Sequence, residues 1–178
     1  MRYAALLRGI NVGGNKKITM AELRALLSGL GYADVTTHLQ SGNAVFSSPP
    51  QRSEALGSAI EQAIAAGLGM QVRVVIRTGA EIAAAIEGSP LPGEPENPSR
   101  FFVAFLSAEP DPARAREIQE QSFGLDQIWV RGREAFLWCP NGAAETPLTN
   151  SFVEKRLGVV ATSRNWNTVR KLASLTGT

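Results

Sequence analysis

Three short segments gather the residue types that hold an anion: glycines, amides and basic side chains. The first is Arg8-Gly9-Ile10-Asn11-Val12-Gly13-Gly14-Asn15-Lys16-Lys17. Its glycines let the backbone turn sharply and present N–H groups, with lysines beside them. Against the phosphate-loop pattern G-x-x-x-x-G-K-[ST], Gly9 and Gly14 stand at the right separation, but Asn15 takes the lysine's place and no Ser or Thr follows it directly. A phosphate-loop nucleotide triphosphatase is therefore not expected. On the residues alone the segment reads equally as an anion cradle, with Arg8, Asn11, Gly13, Gly14 and Lys17 as ligand residues, and as a connection that turns the chain.

The second segment is Gln40-Ser41-Gly42-Asn43. Alone it says only that the chain turns there, since Gly and Asn are ordinary turn formers. The third is Thr162-Ser163-Arg164-Asn165-Trp166-Asn167-Thr168, placed before and across the start of the last helix. A helix N-terminus offers unpaired N–H groups, and Arg164 adds a planar fork suited to phosphate or carboxylate. Taken singly, Asn165 reads as an N-cap and Trp166 as a core anchor. Their clustering with Arg164, Asn167 and Thr168 supports a binding role.

Other chemistries find less support. His38 is the single histidine and Cys139 the single cysteine, so one chain supplies no Cys/His zinc set and no internal disulfide. No G-x-S-x-G elbow is present for a Ser-His-Asp site. Cys139 lies beside Pro140 with no close basic neighbour and reads as an inert buried thiol. Glu94 and Glu96 fall in a proline-rich stretch that reads as a solvated loop. Phe101, Phe102, Phe105, Phe136 and Trp138 could stack bases, but Arg131-Gly132-Arg133-Glu134 departs from the RNA-recognition pattern, so core packing is the reading for those rings.

These segments need a scaffold, and 178 residues with 44% apolar and 19% charged side chains can bury one. Net charge is +2, unevenly spread. Residues 1–24 hold Arg2, Arg8, Lys16, Lys17 and Arg24 against Glu22, and residues 154–178 hold Lys155, Arg156, Arg164, Arg170 and Lys171 against Glu154. Each end is thus +4 and the middle −6. The apolar run Tyr3 to Leu7 is broken by Arg8, too early for a signal-peptide core or a membrane span. The expected location is the cytoplasm, without membrane association.

Periodicity places the elements. Tyr3 to Leu7 reads as a strand, and Thr19-Met20-Ala21-Glu22 is a capping box opening a helix with a stripe of Met20, Leu23, Leu26, Leu27 and Leu30. Val35, Thr37 and Leu39 alternate with polar neighbours as in a strand, and Ala44 to Phe46 follows as another. A helix around Leu56 to Ile64, ending near Gly67 and Gly69, and a strand from Val72 to Ile76 complete a β-α-β-β-α-β series. Thr78 to Glu81 is a second capping box, for a short helix ending near Gly88. The prolines at 90, 92, 95 and 98 mark a boundary. Beyond it the series recurs: a strand from Phe101 to Leu106, a helix capped by Asp111-Pro112, a hairpin around Arg131-Gly132-Arg133, a helix from Asn150 and a short strand at Val159-Val160-Ala161. A last helix carries Trp166, Val169, Leu172 and Ala173 on one face. The expectation is an α+β protein of two ferredoxin-like (βαββαβ) subdomains with antiparallel sheets and a C-terminal helix. The subdomains are residues 1–88 and 89–178.

Leu6-Leu7-Arg8-Gly9-Ile10-Asn11-Val12-Gly13-Gly14, Gln40-Ser41-Gly42-Asn43 with Val45-Phe46, and Arg164-Asn165-Trp166-Asn167-Thr168 with Val169 together resemble an uncharacterised bacterial family, domain of unknown function 1697. The resemblance extends over nearly the whole chain. It implies two ferredoxin-like subdomains, and it transfers no activity, cofactor or catalytic residue.

The leading functional expectation is a pocket for a small anionic ligand, a nucleotide or phosphorylated metabolite, formed by the three segments. Nucleic-acid binding through the basic ends and a protein-interaction module using a sheet face or edge are the alternatives. The sequence assigns no reaction, cofactor, metal or oligomeric state.

Overall fold

The computed structural model describes residues 1–14 and 16–177. Asn15, part of the glycine-rich segment, lies outside the described residues. In chain order the elements are β1 (Arg2–Leu7), α1 (Met20–Gly29), β2 (Ala33–His38), β3 (Asn43–Ser47), α2 (Ser53–Leu68), β4 (Val74–Thr78), α3 (Gly79–Glu87), β5 (Phe101–Leu106), α4 (Pro112–Glu120), β6 (Gln127–Arg131), β7 (Glu134–Trp138), α5 (Asn150–Leu157), β8 (Ala161–Asn165) and α6 (Trp166–Leu175). Two four-stranded antiparallel sheets result, in the orders β2-β3-β1-β4 and β6-β7-β5-β8. These are ferredoxin-like sheets, and the mixed class read from periodicity holds. The chain forms two compact units, Met1–Ala83 with Leu172–Thr178, and Ala84–Lys171.

In the first unit, Tyr3, Ala5 and Leu7 of β1 share a sheet face with Ala44, Phe46, Val74 and Ile76. Leu23 and Leu27 of α1 and Leu56, Ile60 and Ile64 of α2 complete this core. Each large side chain so buried contributes about 1.5–3 kcal/mol against its exposed state. The α1 stripe is narrower than the periodicity implies: Leu23 and Leu27 are buried, whereas Leu30 is exposed at the helix C-cap. Both capping boxes form. Thr19 Oγ1 accepts from Glu22 N and Glu22 Oε1 from Thr19 N, each at 3.0 Å, and Thr78 and Glu81 exchange the same pair at 3.1 and 2.8 Å. Arg2 ties distant parts of this unit, donating to Asp34 O, Ser47 Oγ and Leu175 O.

The second unit builds its core from Ala104, Leu106, Ala135 and Leu137 of the sheet with Ile118 of α4 and Val153 and Leu157 of α5. Asp111 caps α4 by accepting from Ala113 N at 2.7 Å, with Pro112 following it.

Three expectations change. The strand expected from Val72 to Ile76 runs from Val74 to Thr78, because its pairing with β1 extends from Leu7 opposite Val74 to Tyr3 opposite Thr78. Leu39 leaves the β2 alternation: it lies past the strand with φ +64 and is 55% exposed, because the chain is already turning toward Gln40. The last strand starts and ends later than Val159-Val160-Ala161. Pairing with β5 draws Thr162, Ser163, Arg164 and Asn165 into β8, against Phe105, Ala104, Val103 and Phe102 respectively. Arg164 therefore lies on a strand, not in a loop.

Candidate functional site

The glycine-rich segment leaves β1 at one end of the first sheet. Leu7 N donates to Gly42 O at 2.9 Å and Arg8 N to Arg73 O at 3.0 Å, so the sheet frame extends to Arg8. Beyond Arg8 the chain enters the left-handed region repeatedly, at Gly9, Asn11, Gly13, Gly14 and Lys16, with φ between +49 and +77. Glycine and asparagine tolerate that region best. Buried Ile10 and Ile18 anchor the two ends in the core.

Asn11 sets the shape of this loop. Its Nδ2 donates to Ile18 O at 2.9 Å and Gln40 O at 2.6 Å, and its Oδ1 accepts from Ile18 N at 2.9 Å. Both ends of the amide are used, which closes the loop on itself and binds it to the Gln40 turn. Lys16 supports the arrangement, its carbonyl accepting from Asn11 N at 3.2 Å and its ammonium donating to Gln71 O at 2.7 Å.

The turn is fixed from below. Asn43 is fully buried and donates through Nδ2 to His38 O at 2.8 Å and Ser41 Oγ at 3.1 Å, as a buried amide must. Gly42 has φ +93, and a Cβ there would lie 2.7 Å from Ile10 Cδ1 and 2.9 Å from Leu7 Cβ. No other residue type fits without displacing its neighbours.

Loop, turn and the first turn of α1 enclose a groove of about 420 Å³ lined by Asn11, Gly14, Lys17, Ile18, Thr19, Glu22 and Gln40. Four of these are expected site residues: Asn11, Gly14, Lys17 and Gln40. Arg8, Gly13, Ser41 and Asn43 belong to the same two connections without lining the groove, Arg8 half-buried, Gly13 and Ser41 exposed. Thr19 and Glu22 were legible only as a helix cap, and Ile18 carried no signal of its own. The signal that they line a groove is their position directly after the glycine-rich loop.

The third segment belongs to the second unit. Arg164, 7% exposed, donates to Thr162 Oγ1 at 2.8 Å and Ser163 O at 2.9 Å. Burial brings its guanidinium down to about 10, so it stays cationic at neutral pH. Asn165 caps α6, its Oδ1 accepting from Thr168 N at 3.0 Å. Trp166 packs on Phe101 with ring centroids 5.1 Å apart and donates through Nε1 to Glu94 Oε2 at 3.2 Å. Arg170 meets the same carboxylate oxygen at 3.0 Å. Asn167 is exposed, reaching Ser99 Oγ at 3.4 Å, and Thr168 is buried.

Among the described residues no three His, Cys, Asp or Glu side chains cluster as a metal would require. Burial raises the Cys139 thiol above its ordinary value, which suppresses the thiolate. Among the described residues no helix is long and apolar enough to cross a membrane.

Two antiparallel β-α-β-β-α-β sheets, one with long connections at the end where β1 leaves it, define a tandem ferredoxin-like α+β protein. The chain belongs to the family described as Protein of unknown function (DUF1697), whose pattern matches residues 1–136. A conserved bacterial protein from Streptococcus pneumoniae has a similar structure, with TM-score 0.74 and 24% identity over 98% of each chain, a likeness that shows the fold. No curated protein matches this chain.

Proposed function

We propose that the protein binds a small phosphorylated or nucleotide anion in the groove between the Arg8–Lys17 loop, the Gln40–Asn43 turn and the start of α1. The observation that carries this reading is the convergence of Asn11, Gly14, Lys17 and Gln40 on one groove of about 420 Å³, a size suited to a small ligand. Lys17 is exposed there, and no hydrogen bond or ion pair engages its ammonium among the described residues. Asn11, fully engaged within the protein, acts in this reading as the positioning residue. No reaction is assigned, and no side chain is named as catalytic.

A thermal-shift series with nucleotides, sugar phosphates and inorganic phosphate tests the reading. A ligand at a hundred times its Kd stabilises the folded state by about 2.7 kcal/mol, enough to raise Tm by several degrees. Lys17→Ala should abolish the response while leaving the unliganded Tm unchanged. A panel without any shift, or a shift that survives Lys17→Ala, overturns the reading. Arg164, Asn165, Trp166, Asn167 and Thr168 enter it through a separate variant. Asn167→Ala removes an exposed amide, and a weakened ligand response adds that segment to the site while an unchanged one removes it.

A further inference from the structure

The proposed groove contains two opposite charges that do not pair with each other. Lys17 and Glu22 both line it, yet no ion pair joins them. Glu22 is held in place by the α1 capping box, with Oε1 accepting from Thr19 N at 3.0 Å. Those bonds to Thr19 lower its carboxyl from the ordinary 4.5, so it is ionised at neutral pH. Oε2 receives no bond from the described residues. A ligand in the groove therefore meets an ammonium on the loop side and a fixed carboxylate on the helix side.

A purely anionic ligand gains at Lys17 and is opposed at Glu22. The capping box takes up the Thr19 and Glu22 N–H groups, which removes two of the donors the helix start would offer an anion. We propose that the groove selects a zwitterionic phosphate, with the phosphoryl group at Lys17 and an ammonium at Glu22. Ile18 and Gln40 also line the groove, one apolar and one polar, which suits a short carbon frame with polar substituents. This inference rests on the anion-binding reading and narrows its ligand class.

The test titrates the full chain with glucose 6-phosphate and with glucosamine 6-phosphate, which differ by one ammonium, by calorimetry or amide NMR. Glucosamine 6-phosphate should bind about fivefold tighter or more. Glu22→Gln preserves the capping box, since Gln serves at that position as Glu does. It should bring the two Kd values together and tighten glucose 6-phosphate, whereas Lys17→Ala should weaken both. Equal wild-type affinities, or a preference that survives Glu22→Gln, overturn the zwitterion proposal and leave anion binding standing. Absence of binding by both sugars in the wild type overturns the zwitterion proposal, whereas the anion-binding reading falls only if the nucleotide and inorganic phosphate arms of the thermal-shift panel are silent too.

Discussion

The two units close the same frame with different connections. Leu7 N donates to Gly42 O in the first and Leu106 N to Arg133 O in the second, both at 2.9 Å. Arg8 N meets Arg73 O, and Ser107 N meets Val160 O. Between these matched ends, β1 reaches α1 through residues 8–19, whereas β5 reaches α4 through 107–111. The turn from β2 to β3 spans 39–42, and that from β6 to β7 only 132–133. The second unit shows that the sheet closes without the longer connections. Loops beyond what a scaffold needs are where binding residues concentrate, which adds to the support for reading function in the first unit.

The match extends to a buried arginine. Arg77 pairs with Ala4 and Arg164 with Val103, each one residue before the end of its strand, and each donates to the carbonyl of the residue before it. A feature present in both units reads as frame. Arg77→Ala and Arg164→Ala should each cost roughly 2–4 kcal/mol in urea denaturation, through lost packing and stranded hydrogen-bond partners. A loss confined to one of them would break the equivalence.

A smaller effect separates the turns. Gly42→Ala places a methyl against Ile10 and Leu7 in addition to left-handed strain, whereas Gly132, with φ +59, has open space around its Cβ position. Gly42→Ala should cost about 2–3 kcal/mol and Gly132→Ala about 1 kcal/mol, measured the same way. Equal costs would mean that the Gln40 turn is no more constrained than its short counterpart.

The smallest effect concerns Glu22. Its carboxyl is lowered from 4.5 by the hydrogen bonds with Thr19, so its contribution is fully present above about pH 4.5 and fades as pH falls through the folded-state value. Acid titration of Tm should show a decline below pH 4.5 whose Glu22 component is missing in Glu22→Gln. An identical profile in both proteins would show that the bonds between Glu22 and Thr19 add nothing to the stability of the first unit.

Much of this frame was legible before any coordinates. Thr19-Glu22 and Thr78-Glu81 are local signals that depend on three-residue spacing, and Gly69 and Gly158 end their helices with φ of +67 and +74. Thr162 to Asn165 were not legible as strand, because they lack apolar alternation and owe their conformation to pairing with β5, some sixty residues away. The candidate groove was half legible. Asn11, Gly14, Lys17 and Gln40 announce themselves by type, but Glu22 satisfies a helix cap so well that its second face, toward the groove, has no separate signature.

The first unit takes its last residues from beyond the second: Leu172–Thr178 join Met1–Ala83, and Arg2 donates to Leu175 O at 3.2 Å. During synthesis, residues 84–171 must all be made before that closing segment exists. At about 5–20 residues per second, the first unit waits several seconds with Arg2 lacking its bond to Leu175 O. The unit with the candidate groove is thus begun first and finished last, so a nascent chain shorter than 172 residues would not yet hold it complete.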